Sequence, residues 1–378
     1  MKTPRLLAVS IASLLLTLPT THAVNDTWDG GSPLNDNLNT NANWEDDSAP
    51  ISSGALNNLI FAGVQRLTPN VSVEFSTRGI FFANPAGPFV IGGQPLHVGP
   101  DGIVNFDTQT MTFTNPVDFS ASGFPAINAA AGGLNFTNTV TLALSELTVT
   151  GSAPTVFHEI VLPDSDPSPG HLRKEGSGTM TWTPAAPTPF SVIVDAGTLT
   201  LAADGFANVF TSLIVVNGTS ILNLNESLTL NATEILREAG AQIHLAAGKT
   251  LTLQNGASAI ITGAFANTTA SAITVTGASS TFSTTSTLTL GGGSTTTVVL
   301  GASLSAGTGA VNVGTSGDGV VNVTNGSFFD GGNLAVGLSG NAGSVIFSGG
   351  STGTFGNIDV DASSVAGTSG ALSIQSGA

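Results

Sequence analysis

Apolar residues fall at every second position in short runs along most of the chain, as at Leu199/Leu201, Leu222/Leu224, Leu228/Leu230 and Leu251/Leu253. Period two turns one apolar face inward and predicts half-buried strands. Gly, Asn-Gly and Ser-Gly steps separate the runs, so the strands are short, roughly three to six residues. Helical spacing appears in one window, Ala232–Ala239 (ATEILREA), which Gly240 stops within about two turns. That window reads as a further strand.

The runs also repeat. VNVGTSGDGVVNVTNGSFFDGG from Val311 aligns with LAVGLSGNAGSVIFSGGSTGTFG from Leu334 and IDVDASSVAGTSGALSIQSGA from Ile358. A first strand then recurs at Val311, Leu334 and Ile358, in steps of 23 and 24. A second recurs at Gly319, Gly343 and Gly370, in steps of 24 and 27. The turn Asn325-Gly326-Ser327 matches Gly349-Gly350-Ser351, and Gly197 is linked to Gly218 by a step of 21. One copy of such a repeat cannot bury its apolar face alone; stacked copies can, which predicts an all-β solenoid. From Leu172 onward there is room for roughly nine rungs, a rod about 43 Å long. Thr and Asn facing outward are expected to form ladders from rung to rung.

Residues 1–23 read as a signal peptide, with Lys2 and Arg5, an apolar stretch Leu6 to Leu18, and a Thr21-His22-Ala23 cleavage site. Residues 24–170 are expected to form an N-terminal β region with a cap and the first rungs, and residues 171–378 the regular solenoid. After the signal, six basic residues (Arg66, Arg78, Arg173, Lys174, Arg237, Lys249) face 24 acidic ones, a formal charge of −18. No basic surface exists for nucleic acid or an anionic membrane. Absence of cysteine removes disulfides, thiolate catalysis and Cys-ligated metals. No second apolar stretch is long enough to form an integral membrane segment. The expected product is exported, secreted or held at the cell surface or outer membrane.

The stretch LRKEGSGTMTW…VIVDAGTLTL resembles the autotransporter-associated β-strand repeat of bacterial exported proteins. Leu172, Lys174, Gly176, Gly178 and Thr179 match its first half; Val194, Gly197, Thr198, Leu199 and Leu201 match its second. Met180 and Trp182 replace smaller aliphatics, and TPAAPTP replaces the family's Asn-Thr-Tyr-Thr-Gly-Gly stretch. Near the N-terminus, Trp28, Asn43-Trp44, Pro50 and Phe61-Ala62-Gly63 are similar to the opening of large repeat proteins of that group. The resemblance implies a right-handed parallel β-helix, exported, in some members with a C-terminal membrane barrel. It implies no reaction.

Candidate chemistry is sparse. His171, Arg173 and Lys174 gather three basic side chains. They are expected to serve the scaffold, Lys174 at a rung corner with its stem on apolar surface and its ammonium in water. Arg173 and His171 border a loop in which Asp164 and Asp166 are expected to pair with them. Asp359 and Asp361 share one strand face at a separation that suits acid–base work on glycans, about 5–9 Å. The same positions in earlier copies hold Asn312/Gly314 and Ala335/Gly337, so a solvated outer face is expected there. Gly314–Asn322 lacks the order of a calcium nonapeptide, and Glu45-Asp46-Asp47 reads as a solvated acidic turn. His22, His97, His158, His171 and His244 show no zinc spacing. Trp28 and Trp44 are expected to cap the open end of the core, with Phe81-Phe82, Phe113 and Phe119 inside it.

No catalytic residue, cofactor or metal is therefore expected. The expected role is structural, adhesive or surface display, with glycans or other cell-surface molecules as partners. The chain stops in mid-repeat at IQSGA, so the last rung is expected to self-associate or to continue in a longer product. The alternatives are a carbohydrate-active β-helix enzyme, a lyase or hydrolase built on Asp359 and Asp361, and a passenger fragment of a longer autotransporter.

Overall fold

Strand after strand, each alternating run is hydrogen-bonded in parallel to its equivalent one repeat later. The structure is a computed structural model that describes residues 24–121, 123–142, 146–162, 171–184, 189–202, 208–315, 317–338, 340–360 and 369–375. The signal region, Asp164, Asp166 and Asp361 lie outside them. The chain is 56% strand, and no α-helix occurs among the described residues. No described helix is long and apolar enough to cross a membrane.

In the three C-terminal copies the register reproduces the sequence alignment. Val311 pairs with Leu334 and Leu334 with Ile358; Gly319 pairs with Gly343 and Gly343 with Gly370. The strands flanking Gly197 and Gly218 instead pair at steps of 22 and 23, Val194 with Val216 and Thr198 with Ile221, not at 21. Glu234–Arg237, inside the window with helical spacing, is a strand that pairs with Ile214–Val216 and Ser258–Ile261. One column runs from His171–Lys174 through Ser191–Val194, Ile214–Val216, Glu234–Arg237, Ser258–Ile261, Thr281–Thr284, Ser303–Ser305 and Phe328–Val336 to Thr352–Val360. These nine strands match the expected rung count. Upstream, Glu146–Gly151 pairs with His171–Lys174, so the sheet crosses residue 170 without a break. A separate eight-stranded sheet begins at Asn208–Phe210 and ends at Ser369–Ile374, forming one wall of each later rung.

Corners need backbone that side chains resist. Asn325 and Gly326 take φ of 58° and 75°, and one rung later Gly349 and Gly350 take 61° and 80°. Left-handed φ is accessible to Gly and tolerated by Asn. The matching pairs explain why this turn recurs in the sequence.

The core is one continuous cluster along the rod. At its N-terminal end Trp28 and Trp44 are buried and meet edge to face, with ring centroids 5.3 Å apart. Trp44 Nε1 donates to Leu38 O at 2.7 Å, and Trp28 and Trp44 share an antiparallel bridge. The segment from Asp29 to Pro50 thus closes the first rung, as a solenoid end requires. Phe82, Phe113 and Phe119 are buried, but Phe81 is only half-buried. Adjacent residues in a strand point to opposite faces, so Phe81 and Phe82 cannot both be core.

Candidate functional site

The basic cluster at 171–174 is divided by the same alternation. Leu172 and Lys174 point inward, His171 and Arg173 outward. Lys174 occupies the core column that holds Val149 one rung before and Val194 one rung after. Its side chain is 2% exposed, which corrects the expectation of a wet ammonium. Nζ instead donates to three backbone carbonyls, Glu175 O at 2.7 Å, Gly176 O at 2.9 Å and Ala196 O at 3.2 Å. Burial pushes the ammonium down to about 8, with the Glu175 carboxylate opposing. The motif glycines follow from this packing. At Gly197 (φ 69°) a Cβ would lie 2.4 Å from Gly176 O, 2.6 Å from Gly178 O and 3.0 Å from Lys174 Nζ. Lys174 ties two rungs together at a corner.

Arg173 reaches across three rungs. Its Nε donates to Glu146 at 2.9 Å on the preceding rung, and Nη1 donates to Asp195 on the following one. Asp164 and Asp166, the expected partners, lie outside the described residues. Asp195 in turn accepts from Asn217 Nδ2 at 2.7 Å, which continues the ladder. His171 is exposed, in register with Glu146 and Ser191. The cluster's polar atoms are therefore largely engaged by the scaffold.

Asp359 is exposed on Thr352–Val360, in register with Ala335 and Asn312 beneath it. Asp361 lies outside the described residues. Glu45, Asp46 and Asp47 are exposed. Among the described residues no three His, Asp or Glu side chains converge to hold a metal. Asp318, within Gly314–Asn322, accepts from Ala342 N–H at 2.8 Å on the next rung. Trp28, Trp44 and Trp182 are all buried, so none presents a face to a sugar ring.

Sequence reading passed over one cluster. His97 lies in register between Ser76 and Asp118 on consecutive strands. Its Nε2 is 2.7 Å from Glu74 Oε1 and its Nδ1 is 2.9 Å from Asp118 Oδ2. Protonated, the ring donates to both carboxylates; neutral, it donates to one. A cleft of about 440 Å³ opens beside it, lined by Ser53, Ala55, Ser76, Gly99 and Pro100. The spacings from 74 to 97 and from 97 to 118 are each about one rung. The solenoid period was the signal that pointed to them.

The other outstanding feature is a face without charge. Thr229, Thr252, Thr274 and Thr297 stack in register on the eight-stranded sheet, followed by Asn322, Ile346 and Ser373. The flanking columns run Thr250, Ala272, Thr295, Val320, Ser344, Ala371 and Asn231, Gln254, Thr276, Val299. None of these positions is ionisable, in a chain of net charge −16. Inward between them lie Leu251, Leu253, Ile273 and Val275, all buried. Asn255 Nδ2 donates to Asn231 Oδ1 at 2.6 Å beside the array, a single contact between rungs, whereas the stacked threonines do not form the expected ladder among the described residues.

Comparison with known proteins found no matching family model, no matching curated protein and no matching solved structure.

Proposed function

We propose that the protein is an exported, non-catalytic rod of the autotransporter-associated repeat type, with a structural, adhesive or surface-display role. One observation carries this reading. The side chains that resemble chemistry are spent on joining rungs, as in Lys174 and Arg173, while a long uncharged face is left open. The motif residues Leu172, Lys174, Gly176 and Gly178 support the family assignment, and the signal-like 1–23 supports export. Partners would be neutral surfaces such as glycans, met through many weak contacts rather than through a pocket. Fractionation of the source cells, with intact-mass analysis and surface proteolysis, tests this. An extracellular or surface product lacking residues 1–23 is expected; a cytoplasmic product that keeps them would overturn the reading.

A carbohydrate-active enzyme is the second reading, and the His97 cluster beside its cleft favours it over the Asp359 region. An imidazole held by Asp118 has the form of an oriented acid–base group. Reducing ends released from a polysaccharide by the purified chain, and lost in His97→Ala, would establish this reading over the first.

A further inference from the structure

The open face has a regularity that its neighbours lack. Successive threonines on it stand one strand apart along the rod, about 4.8 Å, and the pairs Thr250/Thr252, Thr274/Thr276 and Thr295/Thr297 stand two residues apart across it, about 6.6 Å. Hexagonal ice repeats its oxygen positions on a prism face at comparable intervals, slightly shorter than the first and longer than the second. Every hydroxyl in the block lacks a hydrogen-bond partner among the described residues, and each stands beside its own methyl group. We propose that this face adsorbs crystalline water.

The physical case has three parts. Branched threonine side chains on strands are stiff at χ1, and the sheet beneath is bonded rung to rung, so the array is ordered before anything binds. Ions carry tightly held hydration shells that break a lattice, and the face has none. Methyl groups between the hydroxyls leave neighbouring water no partner but other water, while the hydroxyls anchor it at fixed intervals. The array holds no aromatic residue, so a sugar ring would find hydroxyl and methyl contacts there but no stacking platform. Other outer columns do not compete. The one through Thr289, Asn312, Ala335 and Asp359 includes a carboxylate, and the one through Ile260, Ser283, Ser305, Asp330 and Thr354 does too.

This inference rests on the reading of the protein as a rod that works through its outer face. The experiment grows polycrystalline ice slowly from a solution of the purified full chain and measures how much protein enters it. The wild type is expected to be enriched in ice and to slow recrystallisation. Thr252→Lys and Thr274→Lys, each placing a charge at the centre of the block, should reduce the enrichment about tenfold, since many weak contacts act together. Ile260→Lys, on a different sheet, should leave it unchanged. Far-UV circular dichroism and the melting midpoint of each variant separate lost binding from lost fold. Exclusion of folded wild type from ice overturns the inference, as does equal enrichment of folded threonine variants. Threonine-dependent adsorption to an insoluble neutral glycan, without adsorption to ice, overturns it in favour of that glycan. Exclusion from ice of an exported, folded rod ends this inference alone, whereas cytoplasmic retention ends the display reading.

Discussion

Between Phe113 and Trp182 one core column is filled by aromatic rings; from Leu201 onward the same column is filled by leucine. The register runs Phe113, Phe136, Phe157, Trp182, then Leu201, Leu224 and Leu245. Phe136 stacks on Phe113 and Phe157 at 4.9 and 5.0 Å, nearly parallel at 8° each. The strand spacing of a parallel sheet, about 4.8 Å, is close to a favourable ring-stacking distance, so one aromatic per rung builds a continuous pile. Leucine fills less volume. The eight-stranded sheet begins at Asn208–Phe210, just after the change, and its inward residues Leu228, Leu230, Leu251 and Leu253 are buried in the same core. Interiors are packed to near-crystalline density, so the volume a smaller side chain leaves must be filled by its neighbours. The aromatic rungs have their own third buried column, Leu96, Val117, Val140 and Ile160. The open threonine face is the outer side of the eight-stranded sheet.

Truncation within the column gives the largest expected effect. Phe136→Ala should lower stability by about 4 kcal/mol and Leu224→Ala by about 3 kcal/mol. Denaturant midpoints of the two variants measure the difference, and a leucine site costing as much as the aromatic one would remove the distinction between the regions. The junction is tested by pH. Lys174 titrates near 8 when folded and near its ordinary 10.5 when unfolded. Between those values the unfolded chain holds a proton that the folded chain has released, so stability rises with pH, by at most about 3 kcal/mol. No tyrosine or cysteine adds to the change in this window, because the chain has neither. A flat profile from pH 7.5 to 10.5, a range set around those two values, would show that the three carbonyls keep the ammonium charged.

Smaller effects separate tight corners from open ones. Gly197→Ala, with backbone carbonyls at 2.4 and 2.6 Å from the new Cβ, should cost about 2–3 kcal/mol. Gly248→Ala, at φ 76° with nothing within 4 Å, should cost about 1 kcal/mol, from backbone strain alone. Equal melting shifts for the two would mean that crowding at the Lys174 corner adds nothing. Smallest of all, Arg173→Ala should cost under about 1 kcal/mol, and the loss should shrink in high salt, because its pairs with Glu146 and Asp195 are partly exposed.

Much of this was legible because a solenoid writes its contacts into its spacing. Val311, Leu334 and Ile358 are neighbours in space because they are equivalents in the repeat. The corner at Asn325-Gly326 was readable for the same reason. Lys174 was misread, since one apolar-face position among valines gives no sign that a charged group there will find three carbonyls. Only the turn geometry of two rungs supplies them. His97 was passed over because Glu74 and Asp118 are distant along the chain and meet it only when rung lengths in the irregular N-terminal region are known.

Alternation and repetition by themselves determined that this chain forms short parallel strands stacked into a rod, because period two and a near-constant step leave no other way to bury the apolar face. Tertiary structure alone decided which polar groups are used up and which remain free. That outcome depends on the register of each rung and on how many walls each rung has. Stacking places Lys174 under carbonyls from two turns and leaves the threonine hydroxyls, four rungs in line, facing outward without a partner among the described residues.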